Sequence, residues 1–377
     1  MRNEVKSASG GEIKNLKIAI FYDWLNQWGG AERVLLDILK IFPNASVFTL
    51  VHDPKKTTWL PLKTKVITSF IQKLPFSQKN PIFYTPLYSL ALEKFNFSQY
   101  DIVISTTSVS GHCLITPPST LFVCYLHNIN RYLYQTPKPY LFLSPLLNKY
   151  KKTDFIYSQR PDYLVCNSAN VQKRILDHYH RSSQVIYPGV DVDFFTPNQQ
   201  SSVSNYFLVV SRLVAHKKID LAIRACHILN KKLIIVGTGR EKNKLISLKN
   251  RLNAQNIIFM GKVSDKKLKT LYQNCQALIC PQVEDYGLTP IEAQACGRPT
   301  IAYKKGGVTE TVISNKTGLF FKYQTVKSLC FSLKKFNPNS FVPANCVANA
   351  QIFSSKNFML KFKSTIEKLW LQHHNTL

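Results

Sequence analysis

The stretch YFLVVSRLVAHKKIDLAIRACHILNKKLIIVG (206–237) decides the fold. Two short β-rich apolar runs, YFLVVS (206–211) and KLIIVG (232–237), flank an amphipathic stretch, the pattern of a βαβ unit with parallel strands. The same alternation runs outward in both directions. NIIFMG (256–261), ALICP (277–281), PTIAY (299–303) and GLFF (318–321) continue the set downstream. KIAIFYD (17–23), SVFTL (46–50), DIVIST (101–106), TLFVCYLH (120–127), DYLVCNS (162–168) and QVIYPG (184–189) form a second set upstream. Between them lies the polar FFTPNQQSSVSN (194–205), which reads as an interdomain linker. The predicted class is α/β, two doubly wound domains facing a central cleft, with ligands beyond the carboxyl ends of the strands. The predicted layout is a loose tail over 1–16, a first domain over 17–195, a linker over 196–205, a second domain over 206–350 and a closing helix over 351–377. In that last segment Phe353, Phe358, Phe362, Ile366 and Leu369 recur at helical spacing.

A chain of 377 residues, 45% hydrophobic and 19% charged, suits two globular cores. The first 16 residues, MRNEVKSASGGEIKNL, contain no apolar core or cleavage site of a secretory signal. No apolar run approaches the roughly 20 residues that span a bilayer, so the expectation is a soluble or surface-attached protein. Nine cysteines without a C-x-x-C pair fit neither a disulfide framework nor a zinc site, which points to a reducing cytoplasm. The net charge is +28, with 22 basic and 13 acidic residues in 1–198 against 27 and 8 in 199–377. Such a balance favours polyanionic partners, while paired lysines such as Lys217–Lys218 and Lys304–Lys305 read equally well as solvated surface.

The chemistry concentrates in loops that follow strands. CPQVEDYGLTPIEAQACG (280–297) predicts a helix capped by Thr289, beginning at Pro290 and stopped at Gly297, with the turn Tyr286-Gly287-Leu288-Thr289 against its positive end. Glu284 and Glu292 frame the turn, and a carboxylate accepts hydrogen bonds in pairs, as a vicinal diol offers them. Glu292 has a second reading as the partner of Thr289 in a capping box, and Glu284 as a surface ion pair. Arg212 and Lys217, in the loop after YFLVVS, supply a planar fork and a point charge suited to a diphosphate. WGGAERVL (28–35) places Gly29 and Gly30 where the backbone can approach phosphate or sugar closely, without the dinucleotide G-x-G-x-x-G spacing. VGTGRE (236–241) also lacks that spacing and reads as a tight strand-to-helix turn. His127 ends a strand, followed by Asn128 and Arg131, and either orients a sugar hydroxyl or is a satisfied polar residue. Asp191-x-Asp193 sits beside the linker and reads as a turn rather than a metal site. His178 and His180 do not share a helical face.

In this order the motifs GGAER, a histidine after a mid-domain strand, RL…K, E-x7-E and GGVTE (306–310) resemble the retaining glycosyltransferase family 4, over about residues 17–322. The resemblance implies the GT-B architecture of two Rossmann-like domains. It implies that Arg212 and Lys217 bind the donor diphosphate, Glu292 the ribose, and Glu284 with the Tyr286–Thr289 backbone the donor sugar. Gly30 and His127 then lie at the reacting region. It also implies front-side transfer with retention, in which the departing phosphate helps to take the acceptor proton and no metal or other cofactor is needed. CYLHNINRYLY, SRLVAHKKIDLAI and CPQVEDYGLTPIEA resemble the branch that uses GDP-mannose in O-antigen or polysaccharide assembly. Ile129, Tyr134 and Lys218 depart from that branch and leave acceptor and sugar identity open.

The expected partners are a nucleotide-sugar and a glycan or lipid-linked acceptor. The alternatives are another GT-B enzyme, such as a nucleotide-sugar epimerase, and a basic nucleic-acid-binding protein. No recognised nucleic-acid motif supports the latter. The stretch 55–79 mixes six lysines with Trp59, Phe70 and Phe76 and predicts contact with anionic membrane at the inner face of the plasma membrane, beside the plainer reading as amphipathic surface.

Overall fold

A computed structural model describes residues 16–134, 144–198 and 204–375. Most of the expected tail and residues 199–203 of the expected linker lie outside the described residues. The chain divides into two compact units, one running to Asn167 with Val171–Ile186 and the residues from Met359 on, the other comprising Ser168–Asn170 and Tyr187–Phe358.

The first unit holds strands β1 (Ile18–Leu25), β2 (Ser46–His52), β3 (Val66–Thr68), β4 (Ile102–Thr107), β5 (Leu121–Leu126), β6 (Tyr163–Cys166) and β7 (Gln184–Val185). They form one parallel sheet in the order β3-β2-β1-β4-β5-β6-β7. Near-continuous burial of IAIFYDWL and LFVCYL explains why these runs do not alternate: both faces of a parallel sheet are covered. The short β3 was not legible among its lysines. The last helix, Ser355–His374, sets Phe362 edge-on to Tyr125, with ring centroids 5.9 Å apart. Phe358, Phe362, Ile366 and Leu369 are buried as their spacing predicts, while Phe353 is buried ahead of the helix.

The second unit holds β8 (Phe207–Val210), β9 (Leu233–Val236), β10 (Ile257–Gly261), β11 (Ala277–Cys280), β12 (Thr300–Tyr303) and β13 (Gly318–Phe321), parallel and in the order β10-β9-β8-β11-β12-β13. Both sheets therefore reverse strand order beside their first strand, the doubly wound arrangement. The boundary between units differs from the predicted linker. Val190, Val192 and Phe195 are buried in the core of the second unit, and Val190 pairs with Ser354, so the chain joins that unit at Tyr187. Hydrophobic burial, rather than the polar run behind it, fixes the join.

The stop at Gly297 forms as predicted. Gly297 has φ +77°, its N–H bonds the Gln294 carbonyl at 2.8 Å and Arg298 N–H bonds that of Ala293 at 2.9 Å, the paired bonds of a Schellman cap. Gly297→Ala must hold an L residue in the left-handed region, which costs about 1 kcal/mol, and lowers the thermal midpoint by about 2–4 °C. Differential scanning calorimetry checks it; an unchanged midpoint refutes the cap's contribution.

Candidate active site

The reversal of strand order in the second unit lies between β8 and β11, so the loops leaving these two strands line the crevice where such sheets bind ligands. The first loop carries Arg212 and Lys217, the second Glu284. Lys217 Nζ donates to Glu284 Oε1 and Oε2, both at 2.7 Å, and both side chains are largely buried. Gln282 Nε2 donates to Glu284 Oε1 at 2.7 Å. Arg212 stands exposed on the same loop as Lys217.

Backbone packing positions each loop. Gly237 has φ +131°, and a Cβ there would lie 1.9 Å from the Ser211 carbonyl oxygen; one on Gly239 would lie 2.3 Å from that of Leu213. Leu213 N–H bonds Thr238 O at 2.8 Å and Glu241 N–H bonds Leu213 O at 2.9 Å. The VGTGRE turn thus backs the Arg212 loop. On the other side Gly307 N–H bonds Glu284 O at 2.8 Å. A Cβ on Gly306 would come within 2.2 Å of Glu284 O, and one on Gly307 within 2.2 Å of Asp285 O. GGVTE therefore presses its backbone directly against the residue that bears the carboxylate.

The helix after β11 begins earlier than predicted. It spans Leu288–Ala295 with Gly287 at the N-cap (φ +98°) and no side-chain cap. Thr289 therefore lies within the first turn and caps nothing. The left-handed Gly287 makes the turn itself, starting the helix one residue before Thr289. Glu292 is buried and its Oε2 accepts a 2.7 Å bond from Tyr272 OH, and the capping box that was its second reading does not form. Tyr286 points its ring into the core, stacked on Tyr187 at 5.7 Å, with its OH bonded to Pro188 O at 3.0 Å, leaving its backbone to the turn.

In the first unit, strand order reverses between β1 and β4. Gly29 caps the helix Gly30–Ile41. Sequence reasoning passed over the buried Glu32 beside it, which accepts from Tyr22 OH at 2.7 Å and Gln27 Nε2 at 3.0 Å. It also missed Asp23, whose carboxylate accepts Thr107 OH and Ser108 N–H, each at 2.7 Å; burial raises its pKa against those bonds. His127 is buried at the end of β5, its Nε2 2.9 Å from Thr106 Oγ1 and its carbonyl accepting from Asn167 Nδ2 at 2.9 Å. Arg174 Nη1 donates to Asn128 Oδ1 at 2.8 Å, and Arg131 opens the short helix Arg131–Tyr134. Asp191 Oδ1 accepts Phe194 N–H at 2.9 Å, forming the expected turn. His178 lies against Tyr134 and His180 against Phe155.

Two family models cover consecutive parts of the chain: "Glycosyltransferase Family 4" matches residues 28–194 and "Glycosyl transferases group 1" residues 193–352. Between them the two glycosyltransferase models span residues 28–352, and the chain is a glycosyltransferase. It is 24% identical over 390 residues to alpha-1,3/1,6-mannosyltransferase ALG2 of Dictyostelium discoideum, covering 85% of this chain and 90% of that one. Its fold is that of Anabaena Alr3699/HepE in complex with UDP-glucose (TM-score 0.72, 21% identity, 93% of this chain and 99% of that chain). Sucrose-phosphate synthase from Thermosynechococcus elongatus is likewise similar (TM-score 0.77, 16% identity, 94% and 100%). These are GT-B folds, and the two Rossmann-like units of this glycosyltransferase match them.

Two stability measurements test its geometry. Lys217→Met leaves a buried carboxylate without its cation and costs about 3 kcal/mol, most of which the double variant with Glu284→Gln recovers. Urea midpoints check it, and a single variant as stable as the parent would show that the pair contributes nothing. Burial pushes the His127 imidazole down to about 4 from 6.5, so between these values the unfolded chain binds the extra proton. Stability from this neutral histidine is present above pH 6.5 and lost as pH falls towards 4, by about 3 kcal/mol in all. His127→Gln removes that part of the slope; parallel profiles of the two proteins would contradict it.

Proposed function

We propose that this glycosyltransferase moves mannose from GDP-mannose, with retention, onto a glycan or lipid-linked acceptor in cell-surface polysaccharide or O-antigen assembly. The observation that carries the donor half is the Lys217–Glu284 pair at the reversal of strand order, with the exposed Arg212 on the same loop. Arg212 grips phosphate oxygens through its fork, and Lys217 adds a charge that its buried setting strengthens as the diphosphate departs. Glu284, held by Lys217 and Gln282, turns lone pairs to the sugar hydroxyls, and the Leu288 and Thr289 N–H groups at the helix start face the anionic part of the donor. Glu292, fixed by Tyr272, takes the ribose diol. In the first unit, Gly29 and Gly30 offer backbone to the reacting groups, and His127, neutral at physiological pH, orients an acceptor or sugar hydroxyl. Two cations and a helix start handle the leaving-group charge, so the reading uses no metal.

The mannosyl reading leans on the relative named as a mannosyltransferase, which aligns over most of both chains. Calorimetric titration with GDP, UDP, ADP and GDP-mannose tests it. Binding is expected for GDP and GDP-mannose over the other nucleotides, weakened at least about tenfold by Arg212→Ala through loss of the charge-assisted bonds. Preference for UDP discards GDP-mannose and keeps a sugar donor; no nucleotide binding at all overturns the donor site.

A further inference from the structure

The first unit carries a surface to which the donor reading assigns no role. From Pro54 to Leu92 the chain has six lysines and neither aspartate nor glutamate. The next carboxylate, Glu93, is already bonded by Arg160 at 2.8 Å. Two of the aromatic residues in this stretch are engaged in packing. Trp59 lies against Trp28 with ring centroids 5.1 Å apart and planes tilted by 51° and donates Nε1–H to Gln27 O, and Phe70 packs against the core with Lys94 over its ring. The apolar exposure begins where they end: Phe76 is 74% exposed and Phe83 73%, with Ile82, Leu87 and Leu90 also exposed.

These side chains share a rigid mount. Phe76 holds φ +56°, a conformation unusual for a bulky residue, and its carbonyl accepts the N–H groups of both Lys79 and Asn80 at 3.0 Å, so the turn presents the ring outward. Phe83, Leu87 and Leu90 follow at i, i+4 and i+7 along the 3₁₀ turn Pro81–Leu87 and the helix Tyr88–Glu93, whose other side buries Pro81, Tyr88, Ala91 and Leu92. The element is thus apolar on two sides, and only one of them meets the core. Tyr84 OH on Pro75 O and Tyr88 OH on Pro81 O, each 2.7 Å, brace it. Asn26 Nδ2 bonds Gln78 O at 2.9 Å and ties it to the loop that leads to Gly29 and Gly30.

We propose that residues 76–90 seat this protein on an anionic lipid bilayer, with Phe76, Phe83, Leu87 and Leu90 entering the interface and the exposed Lys63, Lys73 and Lys79 meeting the headgroups. Projecting aromatic and aliphatic side chains flanked only by cations match an apolar layer under negative headgroups. An acidic protein partner would answer the lysines and leave the apolar stripe wet. The seat lies later in the chain than the lysine-rich stretch 55–79 suggested, because Trp59 and Phe70 are used up in packing.

Co-sedimentation of the full chain with vesicles of phosphatidylcholine alone, and of phosphatidylcholine mixed with phosphatidylglycerol, tests the seat. Binding is expected to the mixed vesicles at low salt, and to weaken at about 1 M salt, where the screening length falls to about 3 Å. The triple variant Phe76→Ser, Phe83→Ser, Leu87→Ser, all at exposed positions, should keep the parent's urea midpoint and bind at least about tenfold more weakly. Undiminished binding by that variant would assign attraction to the lysines alone and overturn the insertion. Failure of the parent to sediment with anionic vesicles would overturn the proposal outright, as would vesicle-free self-association that the triple variant abolishes. Seating asks nothing of the donor site, so nucleotide titration and vesicle binding can fail independently.

Discussion

The second unit turns on one buried bond between opposite charges. Lys217 leaves the loop after β8, Glu284 the loop after β11, and the two meet where the sheet reverses its order. Neither charge is tolerable there without the other, since a largely buried ion that loses its partner retains its full desolvation cost. The backbone around them is accordingly over-determined: glycines on one flank let VGTGRE back the Lys217 loop, and glycines on the other let GGVTE carry the Glu284 loop. A side chain at any of these four glycines would collide with carbonyl oxygen, so the composition of both turns follows from the need to place one carboxylate and one ammonium within 2.7 Å.

The two units solve the same geometric problem with different chemistry. In the first, the carboxylate of Asp23 on β1 reaches across the reversal to the end of β4 and accepts hydrogen bonds from Thr107 OH and Ser108 N–H. Behind that loop His112 bonds the buried Asp154 at 2.9 Å, and Tyr179 OH bonds the same carboxylate at 2.8 Å. Burial opposes charge on His112, yet the neighbouring Cys113 and Asp154 raise its pKa well above 6.5. A histidine and a tyrosine bonded to one buried carboxylate thus brace the loop in one unit, where a lysine and a glutamine hold the carboxylate in the other.

Most strand runs were legible in the sequence because parallel strands buried on both faces read as unbroken apolar words, as LFVCYL does. Gly297 was legible because few residues other than glycine close a helix in the left-handed region. The start of that same helix was not, since Thr289 and Glu292 satisfy the spacing of a capping box while Gly287 makes the turn by backbone alone. Glu32 and Asp23 escaped notice for a shared reason: each is buried and matters through partners that the fold brings to it, Tyr22 for one and Thr107 with Ser108 for the other. The join between units was misplaced because Val190, Val192 and Phe195 look like a fading strand end and are in fact core.

The first unit is discontinuous in the chain, and this sets an order of events during synthesis. Among the described residues its seven strands all precede Tyr187, yet the helix that brings Phe362 onto Tyr125 is made after every strand of the second unit. The second unit is continuous from Tyr187 and can close while the ribosome still holds the final turns. Of these two units the one whose strands come first is therefore completed after the other, and until that helix emerges one flank of its sheet has only the nascent chain's surroundings for cover.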